Sequence, residues 1–180
     1  MQSPRPSASP ESSPDVRRVL DAVRRIVQVL RVSSRAAEKL VGLSAAQLFV
    51  LHRLEETQAI SLNELAERTL THQSSVSVVV QRLVGRGLVS RERSRADARR
   101  IELKLTAAAR ALLRKAPGAA QDKLIDAVGA LPAAQQKQLA ALLGQLVEAM
   151  GVAAEPAGMF FEEGKSAPAR RKARMRRQRG

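Results

Sequence analysis

Apolar residues recur every three or four positions toward both ends of the chain, a spacing that predicts long amphipathic helices. The first helix is expected from Asp15 to about Val41, with Gly42 as its stop signal. Two helices are expected over about residues 107–151, separated by a turn at Gly129–Pro132, and the first of them contains Pro117, where a kink or a break is expected. Helices therefore frame the two ends of the predicted folded part.

Between these regions, the pattern predicts three shorter helices. Ser44 and Ser61 each begin one, because a Gln or Glu three residues later completes a capping box that satisfies free backbone N–H groups. Another helix is predicted over about 72–85, with Thr71 as its cap. One side of this helix is apolar, and the other carries small polar side chains.

After residue 87 the period of the pattern changes. Leu88–Arg93 is short and strand-like, and Arg100–Leu105 alternates apolar and polar residues as a half-buried strand does. The polar residues 94–99 connect the two, which predicts a hairpin with a charged tip. A two-stranded hairpin is not stable alone, so it must pack on the helices before it.

These elements predict a mainly α fold with a small β-hairpin wing, in which a winged helix-turn-helix lobe is joined to a helical dimerisation region. The terminal helices carry apolar stripes that one chain has few other surfaces to cover, so much of that core is expected to be intermolecular. The predicted regions are a disordered N-terminal segment at 1–14, a folded domain at 15–152 with dimerisation helices at about 15–41 and 107–151 and the winged lobe at about 44–105, and a disordered basic tail at 153–180.

Charge indicates the class of partner. The net charge is +14, and eight of the 31 basic side chains lie in the last 16 residues, which contain no acidic ones. Nucleic acid is the commonest polyanionic partner of such a chain, and a membrane surface is the competing one. The tail is expected to bind any polyanion without sequence preference and to raise the affinity for any DNA.

Composition also excludes several classes of function. The chain has no Cys and only two His, which argues against a thiolate or histidine metal site. It contains no glycine-rich phosphate loop and no nucleophile elbow, so neither an enzyme nor a bound cofactor is expected. No apolar run is long enough for a membrane span and no secretion signal is recognisable, which predicts a cytoplasmic protein with no membrane partner.

The helix over 72–85 has the properties needed to enter the major groove of double-stranded DNA. Its apolar back anchors it in a core, and its small polar front allows the backbone to approach the base edges. The predicted DNA contacts of this helix are His72, Gln73, Ser74, Ser75, Ser77 and Gln81 to bases and Arg82 to a phosphate.

The hairpin supplies a second predicted contact surface, because the ten residues 91–100 contain five arginines. Arginines on a projecting loop are attracted into a narrow minor groove. Arg93, Arg95 and Arg99 are the predicted contacts. Asp97, two residues before Arg99, is predicted to brace the loop rather than to touch DNA.

Over about residues 16–151 the sequence resembles the MarR family of bacterial transcription regulators. The resemblance is carried by Ser44–Leu54, Ser61–Thr69, Ser75–Arg91 and Asp97–Thr106, including the Asp-x-Arg of the wing at Asp97-Ala98-Arg99. It implies a homodimer formed by the first and last two helices, a palindromic operator, and repression that ends when a small, often aromatic and anionic effector binds. Val78 and Ala98 depart from residues that many members carry.

By family position, the resemblance implies that four residues line or rim an effector pocket between the dimer helices and the DNA-binding lobe. These are Ser34, Arg35, His52 and Arg53. The alternative for His52 is a hydrogen-bonded core residue, because it follows Leu48 at helical spacing.

Two other functions remain open. The chain could be a constitutive or architectural DNA-binding protein that responds to no effector. It could also be a basic amphipathic protein bound to membranes or RNA, although the alternating wing strand and the two capping boxes favour a specific DNA-binding lobe.

Overall fold

The computed structural model describes residues 13–162 except 58, 95–98 and 156, and the described residues form seven helices and one antiparallel pair of strands. The helices are α1 Pro14–Val41, α2 Ala45–Glu55, α3 Leu62–Arg68, α4 Gln73–Gly85, α5 Ala107–Leu113, α6 Ala120–Gly129 and α7 Ala133–Ala149, and the strands are β1 Val89–Arg93 and β2 Ile101–Leu105. The predicted fold class, mainly α with a small hairpin wing, is confirmed.

The first helix begins at Pro14, one residue before the predicted start at Asp15, and it ends at Val41 as predicted. Pro14 occupies its first position, where the missing N–H costs nothing. Gly42 follows the last turn with φ 66° and donates its N–H to the carbonyl oxygen of Glu38 at 2.9 Å. This left-handed conformation is readily adopted by glycine and costs other residues free energy.

Gly42→Ala is therefore expected to lower the free energy of unfolding by about 1 kcal/mol. The added methyl group would lie 3.7 Å from Nη2 of Arg86, an ordinary contact, so the cost comes from the backbone alone. Gly144→Ala is the control, because Gly144 lies inside α7 with open space around it. Its free energy of unfolding should rise by about 0.5–1 kcal/mol. Urea unfolding at one protein concentration measures both; equal stability of the Gly42 variant and the parent would contradict the prediction.

Both predicted capping boxes are present. The hydroxyl oxygen of Ser44 accepts from the N–H of Gln47, and the Ser44 N–H donates to Gln47 Oε1 at 3.1 Å. Ser61 and Glu64 form the same arrangement at the start of α3. The prediction that Thr71 caps α4 is wrong, because the helix begins one residue later and the Thr71 hydroxyl donates to the carbonyl oxygen of Thr69 instead.

The core lies around α2, which contacts α1, α3, α4, α5 and β2. Phe49 is fully buried at its centre, and among the described residues it is the only buried aromatic one. The surrounding buried residues are aliphatic and come mainly from α2, α4 and the hairpin: Leu48, Leu51, Leu54, Val76, Val79, Val80, Leu83, Val89, Leu103 and Leu105. The wing is thus fixed to the helices through this core.

A third extended segment joins the hairpin, and the sequence pattern did not reveal it. Ile60, between α2 and α3, exchanges two backbone hydrogen bonds with Leu103 of β2, at 2.8 and 3.3 Å. In the hairpin itself Val89 pairs with Leu105 and Arg93 with Ile101. Ile101 is half-exposed although its alternation predicted burial, because this end of the hairpin extends beyond the helices.

The region after the wing forms three helices rather than the two predicted. At Pro117 a kink or a break was expected, and the helix is broken there into α5 and α6. In the last helix, α7, no residue is buried within the single chain. An apolar stripe on α1 is likewise exposed, and no described helix is apolar and long enough to cross a bilayer.

Residues 157–162, which composition assigned to the disordered tail, are packed against the folded part. We call Ala157–Glu162 the C-terminal strap. Met159 at its centre is only 6% exposed and belongs to the main core, so the prediction of disorder from residue 153 is wrong for the strap. Residues 1–12 and 163–180, which make up most of the two predicted disordered ends, lie outside the described residues.

Candidate nucleic-acid interface

The two sides of α4 differ in the way required of a helix that is anchored in a core and presented to a partner. Val76, Val79, Val80 and Leu83 are fully buried on one side. Of the predicted base contacts, His72, Gln73, Ser74 and Gln81 are exposed and Ser77 is half-buried. Exposed Val78 lies between Ser74 and Gln81 on this outer face.

The remaining two predicted contacts of α4 are covered by the C-terminal strap. Ser75 is half-buried, and its hydroxyl donates to the carbonyl oxygen of Ala157 at 3.3 Å. Nη1 of Arg82 lies 3.7 Å from Oε1 of Glu162, with the Arg82 side chain 27% exposed. The strap therefore lies along one flank of α4 and leaves the outer face open.

In the wing, Arg93 and Arg99 are both exposed, as a DNA-contacting role requires. The base of the loop is closed by a hydrogen bond from the N–H of Ser94 to the carbonyl oxygen of Arg100 at 2.8 Å. Arg95 and the proposed brace Asp97 lie outside the described residues.

An ion pair joins the wing to the helix-turn-helix. Nη2 of Arg100 lies 2.5 Å from Oε1 of Glu64, while Oε2 of Glu64 accepts from the N–H and the hydroxyl of Ser61 at 2.8 and 2.7 Å. These contacts, with that to Arg100 the largest, lower the pKa of Glu64 from 4.5 to about 2. The sequence indicated Glu64 only as a capping residue; its position beside Arg100 follows from the packing of β2 on α3.

Glu64→Gln is expected to remove the ion pair while keeping the capping box, because Gln47 fills the same role in α2. Since folding lowers the pKa of Glu64, its charge stabilises the fold above about pH 4.5, and this contribution is lost as the pH falls toward 2. The loss in the variant should be below about 1 kcal/mol, because both side chains are half-exposed.

Unfolding followed from about pH 6 to about pH 2 tests this. The difference between the parent protein and Glu64→Gln should be largest at the upper end and vanish at the lower end. Glu67→Gln on the exposed side of α3 is the control. A difference independent of pH would contradict the role of the charge.

Arg86 holds the opposite end of α4. Its Nη1 donates to the carbonyl oxygen of Gly42 at 2.8 Å and to Oε1 of Gln47 at 3.3 Å. The helix α4 is thus tied at its C-terminal end to the junction of α1 and α2.

Three of the four predicted effector residues have partners within the chain. Arg53 bonds Asp122 and Glu56 and lies over the ring of Phe49, with 5.1 Å between its Cζ and the ring centroid. Nε2 of His52 lies 3.4 Å from the carbonyl oxygen of Pro117. The Ser34 hydroxyl donates to Oε1 of Glu38 at 3.4 Å, while Arg35 is exposed. Burial raises the pKa of the Asp122 carboxyl, and the charge of Arg53 opposes that shift.

Two cavities adjoin these helices, and none of the four residues lines either of them. An open cavity of about 810 Å³ lies between the α3–α4 turn, Gln121 of α6 and the strap. A much smaller pocket lies between α1, α2, Gln121 and the strap residues Phe160 and Phe161. Gln121 lines both, is only 9% exposed, and its Oε1 has no hydrogen-bond partner among the described residues. Within the same ranges, no three His, Asp or Glu side chains cluster to hold a metal.

Comparison with known proteins supports the assignment of the helix-turn-helix. The MarR family model matches residues 41–100. The HTH-type transcriptional repressor MdtR of Bacillus subtilis is 37% identical over 65 residues, which cover 36% of this chain and only 42% of that protein. The HTH-type transcriptional repressor Mb2911 of Mycobacterium bovis is 28% identical over 122 residues, which cover 68% of this chain and 88% of that protein.

A solved structure extends the likeness beyond the helix-turn-helix. BpsR of Bordetella bronchiseptica, whose DNA binding is regulated by 6-hydroxynicotinic acid, matches with a TM-score of 0.50 and 25% identity over 79% of this chain and 98% of that one. The family match therefore lies within a fold shared along most of the described residues. The chain is therefore similar to MarR-family transcription regulators in the sequence of residues 41–100 and in the fold of most of its described part.

Proposed function

We propose that this protein is a homodimeric repressor that binds a palindromic operator with α4 in the major groove and the wing in the adjacent minor groove. The observation that carries the proposal is the division of α4: its apolar side is fully buried, and His72, Gln73, Ser74 and Gln81 are exposed on the other. A helix anchored in this way can bring polar side chains to base edges. The arginines of the wing, Arg93, Arg95 and Arg99, complete the proposed surface.

The proposed dimer is supported by the apolar surface of the terminal helices. The apolar residues of α7 and its C-cap are more than 40% exposed in one chain: Leu142, Leu143, Leu146, Val147 and Met150. The helix α1 exposes a comparable stripe. Contiguous apolar surface of this kind marks a protein–protein contact. A two-fold pairing through α1, α6 and α7 would present two copies of α4 to half-sites about 10 base pairs apart.

Repression is proposed because both curated relatives are named as repressors. Release by an effector is proposed because the DNA binding of BpsR is regulated by an aromatic carboxylic acid, and because this chain has a cavity beside α4 with an unpartnered amide oxygen on Gln121. We propose that Gln121 orients the effector there. Ser34, Arg35, His52 and Arg53 line neither cavity, so we propose no contact between them and an effector at Gln121.

Selection of bound duplexes from a random library tests the function. We expect enrichment of an inverted repeat with half-sites about one helical turn apart. Recovery of no preferred duplex, or equal affinity for RNA, would contradict the proposal. Adding aromatic carboxylates to the protein–operator complex tests the effector. If none of them releases the operator or raises the melting temperature of the protein, the protein is the constitutive DNA binder instead.

A further inference from the structure

We propose that the C-terminal strap, Ala157–Glu162, is an intramolecular inhibitor of DNA binding that docks between α4 and α6 and withholds Arg82 and Ser75 from DNA. This inference rests on the proposed function, because it concerns the regulation of the same helix and the same cavity.

A buried anchor holds the strap in place. Met159 is 6% exposed and packs in the main core, whereas its neighbours Gly158 and Phe160 are exposed. Apart from Met159, the strap residues are exposed or only partly buried, and a contact with one fully inserted side chain can form and separate without unfolding the domain. The strap therefore has the form of a reversible attachment.

Polar contacts join the strap to the residues that DNA would need. Glu162 is 16% exposed and its carboxylate faces the guanidinium of Arg82, and the carbonyl oxygen of Ala157 accepts from the Ser75 hydroxyl. A carboxylate and a phosphate accept hydrogen bonds from the same N–H groups of a guanidinium, so Glu162 and the DNA backbone compete for Arg82. Docking of the strap and full engagement of α4 by DNA are then mutually exclusive.

The strap also forms one wall of the proposed effector cavity. Met159 and Phe160 line it together with Gln121. Ala157, whose carbonyl oxygen accepts from Ser75, lines it as well. A molecule bound there would contact the docked strap and stabilise it, which lowers the affinity for DNA by linkage. The strap thus provides the physical route by which an effector at Gln121 releases the operator.

Release of the strap is tested in the full-length protein with Glu162→Gln and with the uncharged change Met159→Ser. Each is expected to tighten binding to the selected operator by about three- to tenfold, as removal of a competing closed state does. Glu155→Gln is the matched control, because it makes the same change of charge in an exposed residue between α7 and the strap. Circular dichroism checks that each variant is folded.

Locking the strap gives the opposite test. The chain has no Cys, so Ser75→Cys with Ala157→Cys provides one pair of thiols, and the oxidised protein should bind operator more weakly than the same protein after reduction. The inference is overturned if Glu162→Gln binds no tighter than Glu155→Gln, or if oxidation has no effect, while the parent still selects its palindrome. Absence of any selective binding by the parent would instead overturn the proposed function.

Discussion

Replacing Leu142 and Leu146 together by Glu is expected to convert the proposed dimer into a folded monomer and to lower operator affinity by more than about 100-fold. In one chain these side chains are 55% and 44% exposed, so the charges cost the subunit little. In a two-fold dimer they would place four carboxylates in the apolar contact, where unpaired charges are strongly unfavourable. A monomer loses the gain in affinity from binding two half-sites at once.

Light scattering after size exclusion measures the mass, and fluorescence anisotropy with labelled operator measures the affinity. Ala134→Glu with Ala141→Glu is the control, since both residues lie across α7 from the apolar stripe and are exposed. This control should remain dimeric and bind operator. If the Leu142 and Leu146 variant stayed dimeric, or bound operator tightly as a monomer, the assignment of α7 to the interface would be wrong.

Ser74→Glu is expected to lower operator affinity by at least about 100-fold without loss of stability. Ser74 is exposed at the second position of α4, where a negative charge interacts favourably with the helix dipole, so the fold should be as stable or slightly more stable. The same carboxylate would stand in the major groove between two phosphate backbones. Charge repulsion and loss of a base contact then act together against binding.

Ala108→Glu is the matched control for this change. It introduces the same charge at the same position of another helix, because Ala108 is the exposed second residue of α5. Its operator affinity should fall only slightly, through the general change in net charge. Equal losses in the two variants would mean that α4 does not face DNA in the proposed way.

Local signals in the sequence predicted most of the described elements because their causes are local. The Ser–Gln and Ser–Glu pairs at 44–47 and 61–64 begin helices whose free N–H groups they satisfy, and Gly42 ends α1 with a positive φ. Strict alternation in Arg100–Leu105 predicted β2 in the same way. Each of these depends on residues within four positions of one another.

Features that depend on packing between residues far apart in the sequence were not predicted or were predicted wrongly. The bridge from Ile60 to Leu103 and the ion pair from Glu64 to Arg100 join residues that only the folded chain brings together. Composition assigned the strap to a disordered tail, because Gly and Pro flank it and one buried Met159 has no periodic pattern. The α4 face was predictable as an amphipathic helix, but its cover by the strap was not.

The most direct test maps the position of α4 on the operator. An iron-chelate cleavage reagent is attached at Val78→Cys, which is exposed on the outer face of α4 and would be the chain's only thiol. With α4 in the major groove of each half-site, strand cleavage is expected at two positions about one helical turn apart. No cleavage, or the same pattern from a reagent at Ala141→Cys on α7, would contradict it.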